Sequence, residues 1–403
     1  MSTRDRLHVV VAGAGPSGLM AAQTLAIRGV KVTLVEPNRS PGRKFLLAGR
    51  SGLNLTHSEP LERLLERYAQ GTCAPIVRKA IEDFPPALLR QWAQSLGEET
   101  TVGTSGRVFP KSWRATPLLR AWISTLGELG VTLHSGARVV GIEQSQDVVR
   151  LPDKQSVSSG LAVKVETSVT SEVMFADGVI LALGGTSWPT TGSDGLWQKM
   201  LSEHGVAIEP FRPSNAGVRV EWSEVFKRRF EGCPIKYVSV GVGSDGTDGT
   251  TGDVVVSASG LVGGPIYTVS SQIIGPTVVK INLRPDDSIE QLAARLAKSR
   301  RGDSLRTTLR KVGLSDVACG LVFEFGGREV AGSPELLAKL ITGVPIPVSG
   351  TEEVGRAISV SGGICARSVD ERFMLRELPG VFTAGEMLDW DAPTGGYLLQ
   401  ACF

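Results

Sequence analysis

The sequence predicts an α/β fold in which a parallel sheet with covering helices is interrupted by a β-rich segment and a small helical segment. One observation is the start of the chain, where an apolar run over 7–12 leads through a glycine turn into helix-forming residues and then into a second apolar strand at 30–36. This order is typical of a parallel sheet buried on both faces. The other observation is that the pattern of apolar and turn-forming residues changes after about residue 205 and changes back near 355.

The first part of the chain contains further elements of the same kind. The segment LMAAQTLAIRG predicts a helix that stops at Gly29, because glycine is a common residue just after a helix end. Residues 60–100 predict helices broken at Pro85-Pro86, and 116–143 predicts a helix followed by strands. Residues 176–187 predict a turn, a buried strand and a second glycine turn.

The middle of the chain predicts two different kinds of structure. Short runs with alternating apolar residues, separated by Gly, Asp and Thr turns, indicate β-strands after about 205. A helical pattern follows, and buried strands with glycine turns, as in the first domain, then return. The predicted domains are an α/β domain at 1–204 and 355–403, a β-rich domain at 205–286 and 342–354, and a helical subdomain at 287–341.

Composition excludes several classes of protein. The net charge is +2 with 21% charged residues, so bulk nucleic acid and membrane surfaces are not expected partners. No apolar run reaches the roughly 18–20 residues of a transmembrane helix, and the N-terminal apolar run is too short for a signal peptide. The five Cys form no CxxC pair, which indicates reduced thiols in a cytoplasmic protein and no metal site.

The glycine turn near the N-terminus predicts a dinucleotide site. Gly13, Gly15 and Gly18 give the pattern GxGxxG, between a buried strand and a helix. Gly13 would allow the turn, Gly15 would let the backbone approach a pyrophosphate, and Gly18 would let helix and strand pack closely. Glu36 lies 18 residues after Gly18, where an acid would accept hydrogen bonds from the adenosine ribose.

A second copy of the pattern, at Gly241, Gly243 and Gly246, lacks this context. It follows a strand but leads into TDGTTGDVVV without a helix. It therefore has no helix N-terminus to direct at a phosphate, and it predicts a hairpin loop.

FAD and NAD share the N-terminal pattern, and the C-terminal segment favours FAD. There a predicted strand ends at Ala384-Gly385, and Glu386 or Asp389 could accept a hydrogen bond from a ribityl hydroxyl. The chain then turns through Gly395-Gly396 into a predicted helix. Backbone N–H groups there would provide positive potential where charge grows on a reduced flavin. A glycine-capped surface turn is the alternative interpretation.

Several segments together resemble the BaiN-like family of bacterial FAD-dependent flavoproteins, which includes aminoacetone oxidase-type members. They occur in the order GAGPSGLMAA, GRKFLLAGRSGLNLTH, GRVFPKSWRATPLL, ALGGTSWPTTGSDG, ISVSGGI and TAGEMLDWDAPTGGYLLQ. The resemblance spans nearly the whole chain. It implies a Rossmann-type FAD-binding domain interrupted by a β-barrel-like domain and a small helical one. It also implies that the C-terminal helix continues beyond residue 403.

By this resemblance, the basic loop after the second strand wraps the cofactor. Gly42, Arg43, Lys44 and Asn54 match the family's segment, in which the two cations would lie near the ribose and pyrophosphate and the amide towards the flavin. Without the resemblance, a solvated basic loop would be an equal alternative. The family's GGGRCN is GRSGLN here, so Leu53 stands where a Cys is common, and chemistry that needs that thiol is absent.

The candidate cofactor-binding residues share a place in a glycine turn, at a strand end or in the basic loop. They are Gly13, Ala14, Gly15, Pro16, Ser17, Gly18, Glu36, Pro37, Gly42, Arg43, Lys44, Asn54, Val139, Ala182, Gly184, Gly185, Gly385, Glu386, Asp389, Gly395, Gly396 and Tyr397.

No catalytic residue follows from the sequence. His57 could exchange a proton near neutral pH, but a loop histidine bonded to backbone is the favoured interpretation. Cys365 could face the flavin, but a buried apolar role is favoured. Tyr397 and Trp390 could wall the flavin or simply pack.

Arg107 and Lys111 could bind an acidic substrate or be merely exposed, and the sequence does not decide between the two. The predicted function is an FAD-dependent oxidoreductase acting on a small organic substrate. Because no second dinucleotide domain is evident, electrons would be exchanged with NAD(P)H as a transient partner or with oxygen. The alternative is a non-redox or accessory FAD protein, for example in RNA modification, although the lack of a basic stripe with aromatics argues against RNA binding.

Overall fold

The computed structural model describes residues 6–50, 52–144, 160–243, 249–300, 302–326 and 332–403. It divides the chain into two compact units, one formed by 1–212 with 360–403 and the other by 213–359. Within the described residues, no helix combines the length and apolar character needed to span a bilayer.

The first part of the chain alternates strands and helices. The strands are β1 His8–Ala12, β2 Lys31–Glu36, β3 Thr56–His57, β4 Thr100–Val102, β5 Arg107–Pro110, β6 Thr132–Ser135, β7 Ala137–Gln144, β8 Leu161–Thr167, β9 Ser171–Ala176, β10 Gly178–Leu181 and β11 Ile208–Ser214. The helices are α1 Pro16–Ile27, α2 Arg43–Ala48, α3 Leu61–Glu66, α4 Ala74–Asp83, α5 Pro86–Ser95, α6 Ala115–Glu128 and α7 Trp197–Ser202, with a 3-10 turn at Pro189–Thr191.

The rest of the chain begins with strands, continues with helices and returns to strands. The strands are β12 Val218–Arg219, β13 Pro234–Val242, β14 Thr250–Ser257, β15 Gly260–Val262, β16 Thr277–Asn282, β17 Val344–Val348, β18 Gly350–Thr351, β19 Ser359–Ile364 and β20 Val381–Thr383. The helices are α8 Glu224–Phe230, α9 Gly264–Ser270, α10 Ile289–Leu296, α11 Leu305–Lys311, α12 Asp316–Phe325, α13 Pro334–Ile341 and α14 Tyr397–Gln400, with 3-10 turns at Val354–Arg356, Ala366–Ser368 and Gly385–Met387.

A parallel sheet organises the first unit. Within the described residues its strand order is β20-β10-β1-β2-β6, and every neighbouring pair is parallel. Val10 and Val11 on β1 have no exposed surface, as expected where both faces of a sheet are covered. The carboxyl ends of β1, β2, β10 and β20 therefore meet at one edge, which is where open parallel sheets bind ligands.

Local sequence explains where the helices of this unit begin and end. Pro16 opens α1, where its missing N–H has no cost, and Gly29 takes a φ of 81° just after the helix. Pro86 likewise opens α5, so the break predicted at Pro85-Pro86 is a helix start. A small antiparallel sheet of β7, β8 and β9, which the sequence did not indicate beyond β7, also belongs to this unit.

The second unit is an antiparallel sheet with helices packed on it. Among the described residues the strand order is β17-β16-β13-β14-β15-β12-β18, and a continuous core joins strand residues such as Val240 with helix residues such as Leu292. Helices α10 to α13 divide the predicted helical segment, and each follows a serine whose side chain accepts a hydrogen bond from the first turn.

The predicted hairpin loop lies between β13 and β14, which pair antiparallel. Its Gly246 is outside the described residues. The predicted fold class, a parallel nucleotide-type sheet interrupted by β-rich and helical segments, is confirmed.

Candidate functional site

The glycine turn after β1 is packed on one side and open on the other. A Cβ at Gly13 would overlap the carbonyl oxygen of Ala182, and a Cβ at Gly18 would overlap the carbonyl oxygen of Gly13. A Cβ at Gly15, in contrast, would have no atom within 4 Å. Among the described residues, the N–H groups of Gly15, Ser17 and Gly18 have no hydrogen-bond acceptor. Free N–H donors at the start of a 12-residue helix, beside the open space at Gly15, could bind the oxygen atoms of a diphosphate.

Glu36 ends β2 and holds this turn. Its Oε2 accepts the Ala14 N–H at 2.9 Å, and its Oε1 accepts the backbone N–H of Asn38 at 2.9 Å and its Nδ2 at 2.7 Å. A carboxylate has about four acceptor positions, so one position remains for a ribose hydroxyl. Pro37 follows directly on the same strand end. Sequence reasoning missed Asn38, which it could have found only from its place two residues after the acid.

Lys44 joins the basic loop to two distant strand ends. It lies on α2, which Gly42 precedes with a φ of 68°. Its Nζ donates to Ser187 Oγ at 2.5 Å and to Glu386 Oε2 at 2.7 Å. The neighbouring Arg43 donates from Nη1 to the Asn38 side chain at 2.5 Å. Lys44 is therefore tied to the sheet edge, whereas Arg43 and Arg50 of the same loop are exposed.

The glycine turns after β10 and β20 lie close to each other and to the glycine turn after β1. A Cβ at Gly385 would overlap Ser17 Oγ. A Cβ at Gly185 would lie 3.2 Å from Cδ of Glu386. Gly184, with a φ of 72°, accepts a hydrogen bond on its carbonyl oxygen from the indole of Trp197. Three chain segments thus place backbone without side chains at one edge of the sheet.

The C-terminal glycine turn packs on β3. A Cβ at Gly396 would lie 2.5 Å from the carbonyl oxygen of Thr56, and both Gly395 and Gly396 have positive φ. Their N–H groups have no acceptor among the residues that the structure describes. The predicted helix follows, but α14 is only Tyr397–Gln400.

Beside this turn lies a polar cluster that sequence reasoning did not predict. Tyr397 Oη donates to Glu59 Oε1 at 2.7 Å, and Arg67 Nη2 donates to Glu59 Oε2 at 3.0 Å. Burial opposes ionisation of Glu59, but the hydrogen bonds from Arg67 and Tyr397 lower its pKa overall. Burial, together with the bond to Glu59, raises the pKa of Tyr397. The cluster joins residues that are 338 positions apart, so no local signal could reveal it.

His57 is fully bonded, as its favoured interpretation required. Its Nδ1 accepts the Glu59 N–H at 3.1 Å, which leaves the proton on Nε2 to be donated to the Ser105 carbonyl oxygen at 3.0 Å. Its ring stacks on Tyr397 with centroids 5.3 Å apart. The neutral ring is therefore satisfied by protein groups.

The remaining predicted cofactor residues differ in their surroundings. Among the described residues, Asn54 Oδ1 is one of four buried side-chain polar atoms without a hydrogen-bond partner, and a bound ligand is one explanation of such an atom. Asp389 Oδ2 accepts two hydrogen bonds from Thr72, each of 2.8 Å. Val139 is buried under the sheet on β7. Leu53, in the place of the family's Cys, has no exposed surface and packs in the core.

The other candidates separate into packed and exposed residues. Cys365 is buried, with its Sγ 3.8 Å from Glu209 Oε1. Trp390 is also buried, and its indole donates to the Gly385 carbonyl oxygen at 2.9 Å. Lys111 is exposed and paired with Glu99, whereas Arg107 is exposed at the start of β5. The described residues contain no group of His, Cys, Asp or Glu that could hold a metal ion.

These features fit FAD. The open face at Gly15 with its free N–H groups suits the diphosphate, and the remaining acceptor position of Glu36 suits the ribose. At the other end, the unpartnered Asn54 Oδ1 and the free N–H groups of the C-terminal turn suit the polar edge of a flavin.

Comparisons with known proteins place the chain in a family. The model described as the HI0933-like protein Rossmann domain matches residues 7–403. A 3-dehydro-bile acid delta(4,6)-reductase of Clostridium scindens is 24% identical over 66% of this chain and 60% of its own length. A ribosomal RNA dihydrouridine synthase of Escherichia coli is 21% identical over 98% of this chain and 95% of its own length.

Solved structures share the fold. The open conformation of a flavocytochrome c3 fumarate reductase has a TM-score of 0.50 at 17% identity, covering 99% of this chain and 76% of that one. A 3-ketosteroid delta1-dehydrogenase of Sterolibacterium denitrificans has a TM-score of 0.50 at 11% identity, covering 99% of each chain. At these identities the likeness shows the fold alone.

The predicted resemblance to the BaiN-like flavoproteins and the predicted cofactor are thereby confirmed. The chain belongs to the HI0933-like Rossmann family and is an FAD-dependent oxidoreductase.

Proposed function

We propose that this enzyme reduces a carbon–carbon double bond conjugated to a carbonyl group in a small organic molecule, with NAD(P)H as the source of electrons. The observation that carries the proposal is that two relatives are named for the same kind of reaction. The Clostridium scindens relative is named a reductase of a 3-dehydro bile acid at positions 4 and 6. Reduction of uridine to dihydrouridine, the product named in the Escherichia coli relative, likewise removes a double bond next to a carbonyl.

When bound, FAD supplies the two-electron chemistry, and the chain's residues supply binding and orientation. The N–H groups of Gly15 and Ser17 would hold the diphosphate, and Lys44 would fix the loop beside it. The N–H groups of Gly395 and Gly396, with Asn54, would orient the flavin ring. We assign no residue as the proton donor to the substrate, because His57 and Tyr397 are committed to protein acceptors.

Transient use of NAD(P)H is favoured over a resident nicotinamide. Only one glycine pattern is followed by a helix within the described residues, and FAD takes that site. NAD(P)H and the substrate would then use the flavin in turn.

A second candidate function is the reduction of uracil within RNA. It is favoured by the match to the Escherichia coli relative, which spans nearly all of both chains, whereas the bile-acid reductase match covers 60% of that protein. The net charge of +2 weighs against a large RNA contact.

Anaerobic stopped-flow absorbance at the flavin band tests both candidates. The FAD-loaded enzyme is mixed first with NADH or NADPH and then with a steroid 4-en-3-one, a simple cyclic enone or a uridine-containing ribosomal RNA fragment. Bleaching by a nicotinamide and return of colour with an enone, without oxygen, supports the main proposal. Return of colour only with RNA supports the second. Return of colour only on admission of air, with neither acceptor, contradicts both and indicates an oxidase.

A further inference from the structure

We propose that Arg107 supplies the positive charge at the C-terminal glycine turn, against the edge of the flavin on which negative charge gathers during reduction. This inference rests on the proposed function, because it places the flavin ring at Gly395-Gly396. It assigns a role to a residue for which the sequence left two interpretations open.

The geometry brings Arg107 to the turn from a neighbouring strand. Arg107 begins β5 and lies opposite His57 on β3. The turn packs against that same strand through Gly396 and Thr56. A Cβ on Gly395 would be 3.8 Å from Arg107 Nε. Arg107 Nε therefore lies beside the position that a side chain on Gly395 would occupy, at the turn that would face the flavin.

The charge of Arg107 is not used within the protein. Among the described residues its guanidinium has neither an ion-pair partner nor a hydrogen-bond acceptor. Three other cations, in contrast, are paired with acids, in the pairs Arg67–Glu59, Lys44–Glu386 and Lys111–Glu99.

The charge acts through the change in charge of the flavin ring on reduction. Reduction of a flavin by two electrons and one proton leaves one net negative charge on its ring system. A guanidinium, which stays protonated at all working pH values, stabilises that charge more than it stabilises the oxidised, neutral ring, and so raises the reduction potential.

Potentiometry of the bound FAD tests this role without any substrate. The variant Arg107→Gln removes the charge, Arg107→Lys keeps it, and Lys111→Gln, which removes an exposed charge just after the other end of β5, is the control. We expect Arg107→Gln to weaken the binding of reduced relative to oxidised FAD about tenfold, which lowers the two-electron potential by about 30 mV. Lys111→Gln should leave the potential unchanged, and Arg107→Lys should retain most of the wild-type value.

Two further readouts keep the outcomes distinct. Thermal unfolding of each apoprotein should be unchanged, because Arg107 is exposed. An unchanged potential in Arg107→Gln overturns the inference, even if KM for the nicotinamide rises in that variant. The FAD assignment would stand in either case. Failure of the wild type to bind FAD overturns the proposed function and this inference together.

Discussion

Lys44 and Glu386 form an ion pair of 2.7 Å between Nζ and Oε2, although 342 positions separate them in the chain. The lysine starts from the loop after β2, and the acid follows β20. Ser187, after β10, accepts a second hydrogen bond from the same Nζ. One cation thus links three strand ends around the glycine turn that would hold the FAD diphosphate.

We predict that Lys44→Met weakens both the fold and FAD binding. The carboxylate of Glu386, whose side chain is 16% exposed, would lose its charged partner. The expected cost is about 1–3 kcal/mol in the free energy of unfolding. Urea unfolding of the apoprotein and fluorescence titration with FAD measure the two effects. In a double-mutant cycle, adding Glu386→Gln should recover part of the lost stability; purely additive effects would show that the pair is not coupled.

We predict that Gly15→Val abolishes FAD binding and leaves the apoprotein folded. The backbone at Gly15 is extended with a φ of −78°, and a Cβ there meets no atom within 4 Å. The valine would instead fill the space for the diphosphate. The matched variant Gly18→Ala meets the Gly13 carbonyl oxygen and should lose about 1–3 kcal/mol of stability. Fluorescence titration and thermal unfolding separate the two effects, and a Gly15→Val protein that binds FAD as the wild type does would refute the diphosphate position.

We predict a strong preference for FAD over FMN. Glu36 and the glycine turn that it holds would contact the adenosine half of FAD, which FMN lacks. A charge-assisted hydrogen bond to the ribose contributes about 1.5–3 kcal/mol, so FAD should bind at least about tenfold more tightly. Parallel fluorescence titrations with the two flavins give the ratio. Equal affinities would mean that the N-terminal turn does not hold the adenosine half.

We predict that Tyr397→Phe destabilises the protein at neutral pH and has less effect in acid. The folded-state pKa of Glu59 lies below the ordinary value of 4.5. Its contribution to stability is therefore present above about pH 4.5 and lost as the pH falls through the lowered pKa. The loss of the hydrogen bond should cost about 1–2 kcal/mol at pH 7.

The control for that experiment is Tyr237→Phe. Tyr237 Oη also donates to a carboxylate, that of Asp286, but the tyrosine is 55% exposed. Because solvent screens this exposed pair, its loss should have little effect on stability at any pH. Urea unfolding of both variants from pH 7 to below the lowered pKa of Glu59 checks the prediction. A Tyr397→Phe effect that stays constant over this range would exclude the ionised Glu59 as its source.

Local patterns predicted the fold and one half of the site. The buried strands, the glycine turn at Gly13–Gly18 and the acid at Glu36 follow from spacing that any parallel nucleotide-binding unit needs. The change of pattern near 205 and 355 likewise indicated that the first domain is left and re-entered, as the strand order β20-β10-β1 requires.

The other half of the site depends on contacts between distant segments. The partners of Lys44 and the cluster of Glu59, Arg67 and Tyr397 form only when separate strand ends meet. Charged residues that are close in the sequence do not show which of them will form ion pairs. The sequence therefore did not distinguish Lys111 from Arg107. The division of 205–354 into two inserted domains and the assignment of individual cofactor residues stay predictions.

The central claim is that this chain binds FAD at the edge where β1, β2, β10 and β20 end. Its most direct test is titration of the purified apoprotein with FAD, followed by flavin fluorescence, beside Gly15→Val as the control. The account predicts saturable binding of one FAD per wild-type chain and none by the variant. A wild-type protein that takes up no FAD, or a variant that takes it up equally, would contradict the account.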